Sequence, residues 1–160
     1  MLNINIVCVG KIKEEYLKNG IEEYSKRISK YCNLKIIELQ DEKLPIKIND
    51  STIYETKNKE CAKILNALKK DSYIISLDLK GKQFSSTEFS EKIENIKVRG
   101  FSTITFIIGG TLGLTDEVLK QSNELISFSK LTFPHQLMRL FLLEQIFRAF
   151  KISNNETYHW

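Results

Sequence analysis

The sequence predicts an α/β protein with a mostly parallel sheet and helices on both faces. Strand-like and helix-like segments alternate along all 160 residues, which is typical of this class. The strand-like segments are largely continuous apolar runs, as expected for strands buried on both faces. The length favours one domain spanning residues 1–160.

The predicted strands share β-branched or alternating apolar residues, and they cover residues 2–9, 34–39, 73–79, 101–108 and 125–128. The predicted helices share apolar residues three and four apart, and they cover residues 13–31, 51–70, 85–98, a short segment opening at 115, and 135–151. Lys80 and Gly81 are expected to stop the third strand. The run Ser85-Ser86-Thr87-Glu88 supplies candidate N-caps for the third helix.

The last helix is apolar around most of its circumference, from Leu137 to Phe150. Such a helix must be covered on more than one side. In so small a protein a partner subunit is a natural second cover, so we expect a dimer.

Charge, cysteine spacing and hydropathy exclude several classes of protein. The net charge of +4 is mildly basic and permits a polyanionic partner without establishing one. Cys8, Cys32 and Cys61 have no disulfide or zinc spacing, and no residue cluster suggests a metal site. No apolar run approaches the roughly 20 residues of a membrane span, and the N-terminus lacks a signal-peptide pattern, so a cytoplasmic location without membrane contact is expected.

Four features could carry chemistry or be merely structural. The glycine loop Gly109–Gly113 lies between a strand and a helix, where backbone can approach a ligand closely, although an ordinary turn would look the same. His135 could simply cap the last helix. Glu144 and Arg148 stand four residues apart, in the order favoured for an intrahelical ion pair. The aromatic end of the tail, residues 158–160, suits contact with a base or with a partner.

Several segments together resemble one family. They are Val9–Lys11, Tyr24 with Arg27, Leu77–Lys82, Phe106–Gly110, Phe128–Arg139 (FSKLTFPHQLMR), Glu144–Ile152 and Tyr158–His159. They resemble the bacterial pseudouridine N3-methyltransferases of large-subunit ribosomal RNA, which belong to the SPOUT superfamily. The resemblance covers essentially the whole chain. It departs in the tail, where Thr157 replaces a usual proline and Trp160 a usual basic residue.

The resemblance implies a SPOUT-type fold with a C-terminal trefoil knot, a homodimer and S-adenosyl-L-methionine as cofactor. It implies a cofactor site formed by Leu77, Gly109, Phe128, Ser129, Lys130, Leu131, Thr132 and Phe133. The implied reaction methylates N3 of a pseudouridine in the decoding-centre hairpin, helix 69, of 23S rRNA within the assembled ribosome. Another SPOUT target, such as a tRNA, and a non-catalytic ribosome-associated RNA-binding module remain alternatives.

For RNA contact and catalysis the resemblance points to Glu144, Arg148, Tyr158 and His159. Arg148 is the candidate for holding a phosphate or an anionic base. His159 is the candidate for proton transfer. Arg139 and His135 are held in reserve.

Overall fold

A computed structural model describes residues 1–158. Its strands are β1 (Leu2–Val9), β2 (Cys32–Leu39), β3 (Tyr73–Lys82), β4 (Thr103–Ile108) and β5 (Glu124–Ile126). Its helices are α1 (Glu15–Ile28), α2 (Asp50–Ala67), α3 (Ser86–Val98), α4 (Asp116–Gln121) and α5 (His135–Ser153). The alternation of strands and helices is confirmed.

The five strands form one parallel sheet in the order β2-β1-β4-β3-β5. Alternate β1 side chains enter two separate cores, because successive residues of a strand point to opposite faces. Ile4 and Ile6 pack with residues of α1, α3 and α5, whereas Val7 and Val9 pack with residues of α2 and α4. The predicted α/β class, with helices on both faces, is confirmed. The trefoil knot remains a prediction of the resemblance.

The predicted end of the third strand was wrong. β3 continues through Gly81 to Lys82, and Lys82 pairs with Ile126 of β5 after a shift in register. A Cβ atom on Gly81 would lie only 2.5 Å from the carbonyl carbon of Ile126. Gly81 therefore permits two backbones to meet closely, instead of breaking the strand. β5 is correspondingly shorter than predicted and ends at Ile126.

Two predictions about helix ends had different outcomes. Ser85 does cap α3: its side chain accepts a 3.2 Å hydrogen bond from the backbone N–H of Glu88, whose carboxylate accepts one of 2.7 Å from the Ser85 N–H. His135 does not cap α5. Pro134 occupies the N-cap, and no side chain among residues 1–158 caps that end.

The last helix finds much of its cover within its own chain. α5 packs against α1 on one side and α3 on another, and it also touches β4. Seven of its residues are buried, among them Leu142, Leu143, Ile146 and Phe150. Phe141 remains 38% exposed. The apolar circumference is thus explained largely without a partner, and the expectation of a dimer rests on the surface that α5 leaves open. No helix among residues 1–158 is long and apolar enough to cross a membrane.

Candidate cofactor cavity and tail site

A cavity of about 430 Å³, called here the cofactor cavity after its predicted ligand, opens at the carboxyl ends of β3, β4 and β5. In a parallel sheet these ends meet at one edge, which is where such folds bind ligands. Seven of the eight residues predicted for the cofactor line it: Leu77, Gly109, Phe128, Ser129, Leu131, Thr132 and Phe133. Lys130 is exposed and lies outside this lining within the described residues. Strand order thus gathers residues that are more than 50 positions apart in the sequence.

The glycine loop forms one wall of the cavity. A Cβ atom on Gly109 would lie 3.0 Å from Cδ2 of Leu114 and 3.1 Å from the carbonyl carbon of Gly113. Gly113 adopts a left-handed backbone conformation with φ +79°, and its N–H donates a 3.0 Å hydrogen bond to the Gly110 carbonyl. The loop is therefore folded tightly on itself, and side chains at these positions would alter its course.

Hydrogen bonds within residues 127–131 shape another part of the cavity wall. The hydroxyl of Ser127 donates to the Ser129 carbonyl at 2.8 Å, and the Ser129 hydroxyl accepts from the Leu131 N–H at 3.0 Å. The two serines hold the loop with their own side chains. The cavity thus gains a backbone-rich wall that offers peptide groups to a ligand.

The sequence did not single out every residue of this cavity. Leu112, Leu114, Ile126 and Met138, for which no role was predicted, also line it, and so does His135, which was predicted only as a reserve candidate for RNA contact and catalysis. Leu112 and Leu114 follow directly from the glycine loop and could have been inferred with it. Met138 and His135 come from α5, and their position depends on how that helix docks on the sheet.

A second group of residues, Glu144, Gln145, Arg148 and Tyr158, forms a compact hydrogen-bonded network near the C-terminus, called here the tail network. Arg148 donates two hydrogen bonds to Oε1 of Glu144, from Nε at 3.0 Å and from Nη2 at 2.6 Å. The Tyr158 hydroxyl donates to the same oxygen at 3.1 Å, and Gln145 donates to the other carboxylate oxygen at 2.8 Å. The predicted Glu144–Arg148 ion pair is confirmed. His159 lies outside the described residues.

Ring contacts fix Tyr158 in this network. The Arg148 guanidinium lies 4.7 Å from the centre of the Tyr158 ring, and the Phe147 ring meets it edge-on at 5.0 Å. Burial is the main cause that raises the pKa of Tyr158, and hydrogen bonding to Tyr24 and the charge of Glu144 add to it. The hydrogen bond with Glu144 raises the pKa of Arg148. At neutral pH the tyrosine is therefore a hydrogen-bond donor and the arginine a cation.

The network and the cofactor cavity are neighbours without being continuous in one chain. Glu144 lines a second cavity of about 510 Å³, which shares Ile126, Ser127, Phe128 and Phe133 with the first. Arg148 and Tyr158 line neither of these two cavities in the described part of the chain. Within residues 1–158 of a single chain, Glu144 therefore lies close to the cofactor cavity, whereas Tyr158 lines neither cavity.

The two reserve candidates occupy different surroundings. Arg139 is 1% exposed, and it donates to Glu38 at 2.7 Å and to the Gly10 carbonyl at 3.0 Å. These contacts tie α5 to the ends of β1 and β2, which indicates a structural role. His135 lines the cofactor cavity, and burial, aided by the charge of Arg139, lowers its pKa.

Metal binding finds no support among the described residues. Residues 1–158 contain no group of three His, Cys, Asp or Glu side chains that could hold an ion. The three cysteines are buried free thiols, and burial raises the pKa of Cys8 to about 11. Cys8 packs in the hydrophobic core.

Comparisons with known proteins agree with this geometry. A family model described as "Predicted SPOUT methyltransferase" matches residues 2–159. Proteins named "Ribosomal RNA large subunit methyltransferase H" are similar over 99% of both chains: those of Clostridium botulinum strain Alaska E43, Clostridium acetobutylicum and Clostridioides difficile are 58%, 56% and 54% identical. A solved structure of a probable methylase family protein from Haemophilus influenzae has a TM-score of 0.56 at 13% identity, covering 98% of this chain and 70% of that one. The last match shows a shared fold alone.

Proposed function

Because the chain belongs to the SPOUT methyltransferase family, we propose that it transfers a methyl group from S-adenosyl-L-methionine to RNA. The proposed target is N3 of a pseudouridine in helix 69 of bacterial 23S rRNA, within the assembled ribosome. The observation that carries the proposal is the cavity at the carboxyl ends of β3, β4 and β5, in a chain whose relatives are named as ribosomal RNA methyltransferases. The proposed location is the cytoplasm, where ribosomes are assembled.

The residues of the cavity fit this cofactor. Leu77, Leu114 and Ile126 offer apolar surface for the adenine ring, while the peptide groups around Gly109 and Ser129 offer hydrogen bonds to its polar edges. The lack of a Cβ atom on Gly109 lets the loop pack closely against Leu114 and Gly113 at the wall of the cavity. When bound, the cofactor supplies a methyl group on a positively charged sulfonium.

The tail network can serve the target base. N3 of a pseudouridine must lose a proton during transfer, so a nearby cation that stabilises the developing anion favours the reaction. Arg148 supplies that cation, and the protonated Tyr158 supplies a hydrogen-bond donor. Glu144 accepts from Arg148, Tyr158 and Gln145, so it positions these groups and is poorly placed to accept the proton itself. The proposed proton acceptor is His159.

We propose that two copies complete each site. Leu131, Phe133 and Phe141 are 69%, 37% and 38% exposed, and the last two rings meet edge-on at 5.6 Å. Leu131 and Phe133 also line the cofactor cavity, so an apolar patch borders it directly. A partner seated there would cover the patch and could bring its own tail to the cavity. A monomeric mass by light scattering at micromolar concentration would contradict this.

Two measurements test the function. Saturation with S-adenosyl-L-methionine at about 100 times its dissociation constant should stabilise the protein by about 2.7 kcal/mol. Tritiated methyl groups should enter 70S ribosomes or large subunits, with little or no labelling of protein-free rRNA, because a small protein of charge +4 needs a preformed surface for specific recognition. Absence of cofactor binding would favour a non-catalytic module, and labelling of tRNA would favour another SPOUT target. Equal labelling of ribosomes and extracted rRNA would refute the preformed-surface requirement.

A further inference from the structure

A second polar feature lies beside the tail network, between the C-terminal ends of α1 and α5. It is a groove of about 470 Å³, called here the α1–α5 groove. Its charged residues are Lys26, Arg27, Lys30, Lys151, Glu23 and Glu156. The groove therefore has an excess of two positive charges, half of the net charge of the whole chain.

Among the described residues, two of the four cations are ion-paired and two are not. Arg27 pairs with Glu23 at 2.9 Å, and Lys151 pairs with Glu156. The exposed side chains of Lys26 and Lys30 make no hydrogen bond or ion pair within residues 1–158. The pKa of Glu156 is lowered chiefly by its hydrogen bond with Lys151, and Lys30 contributes only through space. Two ammonium groups are thus available to an external anion.

Helix stability accounts for only part of this arrangement. Cations near the C-terminus of a helix are favoured by the helix dipole, which suits Lys26 and Arg27 in the last turn of α1. Lys30, however, lies in the turn beyond Ile28, the last residue of α1, so it belongs to no helical charge pair. A second helix end, carrying Lys151, converges on the same cavity. This gathering of charge is better explained by an anionic ligand than by the helices themselves.

The groove adjoins the tail network directly. Phe147 lines the groove, and its ring contacts the Tyr158 ring at 5.0 Å. The Arg27 guanidinium lies 5.8 Å from the centre of the Phe147 ring. A polyanion lying in the groove would therefore pass next to Tyr158. Tyr158 in turn contacts Arg148 and Glu144.

We propose that the α1–α5 groove binds phosphodiester groups of the substrate RNA next to the target nucleotide. The proposal rests on the proposed function for the identity of the RNA. Lysine ammonium groups are flexible point charges that suit phosphates without reading sequence. Lys26 and Lys30 would each neutralise one phosphate, while Arg27 and Lys151 keep their carboxylate partners.

The test compares two double variants with the same change of charge. Lys26→Gln/Lys30→Gln alters the groove, and Lys69→Gln/Lys70→Gln alters an exposed lysine pair just beyond α2. Binding to purified large ribosomal subunits is measured over a series of salt concentrations, without methyl transfer. Cofactor binding by calorimetry checks that each variant is folded.

The groove variant should lose roughly five- to eightfold in affinity per lysine at about 0.1 M salt. Its slope of log affinity against log salt should fall by about 0.7–0.9 per lysine. The control variant should match the wild type, and both should bind cofactor normally. Equal affinity and slope for the two variants would overturn the groove proposal and leave methyl transfer by the wild type untouched. Wild-type protein that binds subunits without methylating them would overturn the proposed function alone, and failure of the wild type to bind subunits would overturn both.

Discussion

The Tyr158 hydroxyl lies 3.1 Å from Oε1 of Glu144, the oxygen that also accepts both hydrogen bonds from Arg148. One carboxylate oxygen thus fixes a cation and a hydroxyl donor from two parts of the chain. Because its charge is already balanced, Glu144 organises its neighbours for a substrate and does not itself need to touch it.

Glu144→Gln should therefore slow methyl transfer and leave cofactor binding unchanged. A hydrogen bond to a charged group contributes about 1.5–3 kcal/mol, so we expect a loss of roughly ten- to a hundredfold in kcat. Glu124→Gln is the matched control, since that side chain is 19% exposed against 20% for Glu144 and is also ion-paired. A similar loss in both variants would indicate a general effect on stability.

Deletion of residues 158–160 should abolish methyl transfer while S-adenosyl-L-methionine still binds. The deletion removes Tyr158 from Glu144 and Phe147, and it removes the proposed proton acceptor His159. Tyr158, the described residue of the three, does not line the cofactor cavity. Methyl incorporation into ribosomes and cofactor titration decide the matter, and full activity of the truncated protein would remove the tail from the site.

Substitution of Gly109 should block cofactor binding. In Gly109→Val the new Cβ atom would lie 3.0 Å from the Leu114 side chain and 3.1–3.2 Å from the backbone of Gly113. The loop must then shift, so the added bulk and the altered backbone both act on the cavity. We expect no stabilisation by cofactor in a thermal unfolding scan, with secondary structure retained by circular dichroism. Normal cofactor affinity in the variant would place the ligand elsewhere.

Gly81→Ala should be far more damaging than Gly20→Ala. The first adds a Cβ atom 2.5–2.7 Å from the backbone of Leu125 and Ile126, which cannot move aside without separating β3 from β5. The second meets only the methyl groups of Leu140, at 3.1 Å, and gains up to about 1 kcal/mol in helix propensity. Denaturant unfolding should show a loss of more than about 3 kcal/mol for the first and a change within about 1 kcal/mol for the second.

The buried carboxylate of Glu60 should make stability depend on pH. Burial raises its pKa above 4.5, although the hydrogen bond from the Glu42 N–H opposes the shift. The folded state then holds its proton more tightly than the unfolded state. The resulting stability is present below pH 4.5 and is lost as the pH rises through the folded pKa.

Glu60→Gln removes the carboxylate whose ionisation lowers the stability of the folded state as the pH rises. The free energy of unfolding of the variant, relative to the wild type, should therefore increase between pH 4 and pH 7. Glu55→Gln, on the exposed face of the same helix, is the control and should show no such trend. A flat difference for Glu60→Gln across this range would contradict the prediction.

Apolar patterning by itself determined the class of fold, the element order and most element positions, because burial of strands and helix faces leaves periodic signals in the sequence. The Ser85 cap and the Glu144–Arg148 pair were also predictable, since both depend on residues within one turn of each other. The resemblance added the cofactor residues, and seven of those eight line one cavity.

Which distant residues meet depends on the three-dimensional arrangement of the strands and helices. Gly81 looked like a strand terminator, yet its role comes from Ile126, 45 positions later, whose backbone needs the space. Arg139 looked like a reserve catalytic residue. Its guanidinium instead donates hydrogen bonds to the Glu38 carboxylate and the Gly10 carbonyl, about 100 and 130 residues away. The groove between α1 and α5 likewise depends on two helix ends that are neighbours only in space. Local sequence records periodicity and capping, whereas contacts over such separations arise from strand order and helix docking, which no local pattern encodes.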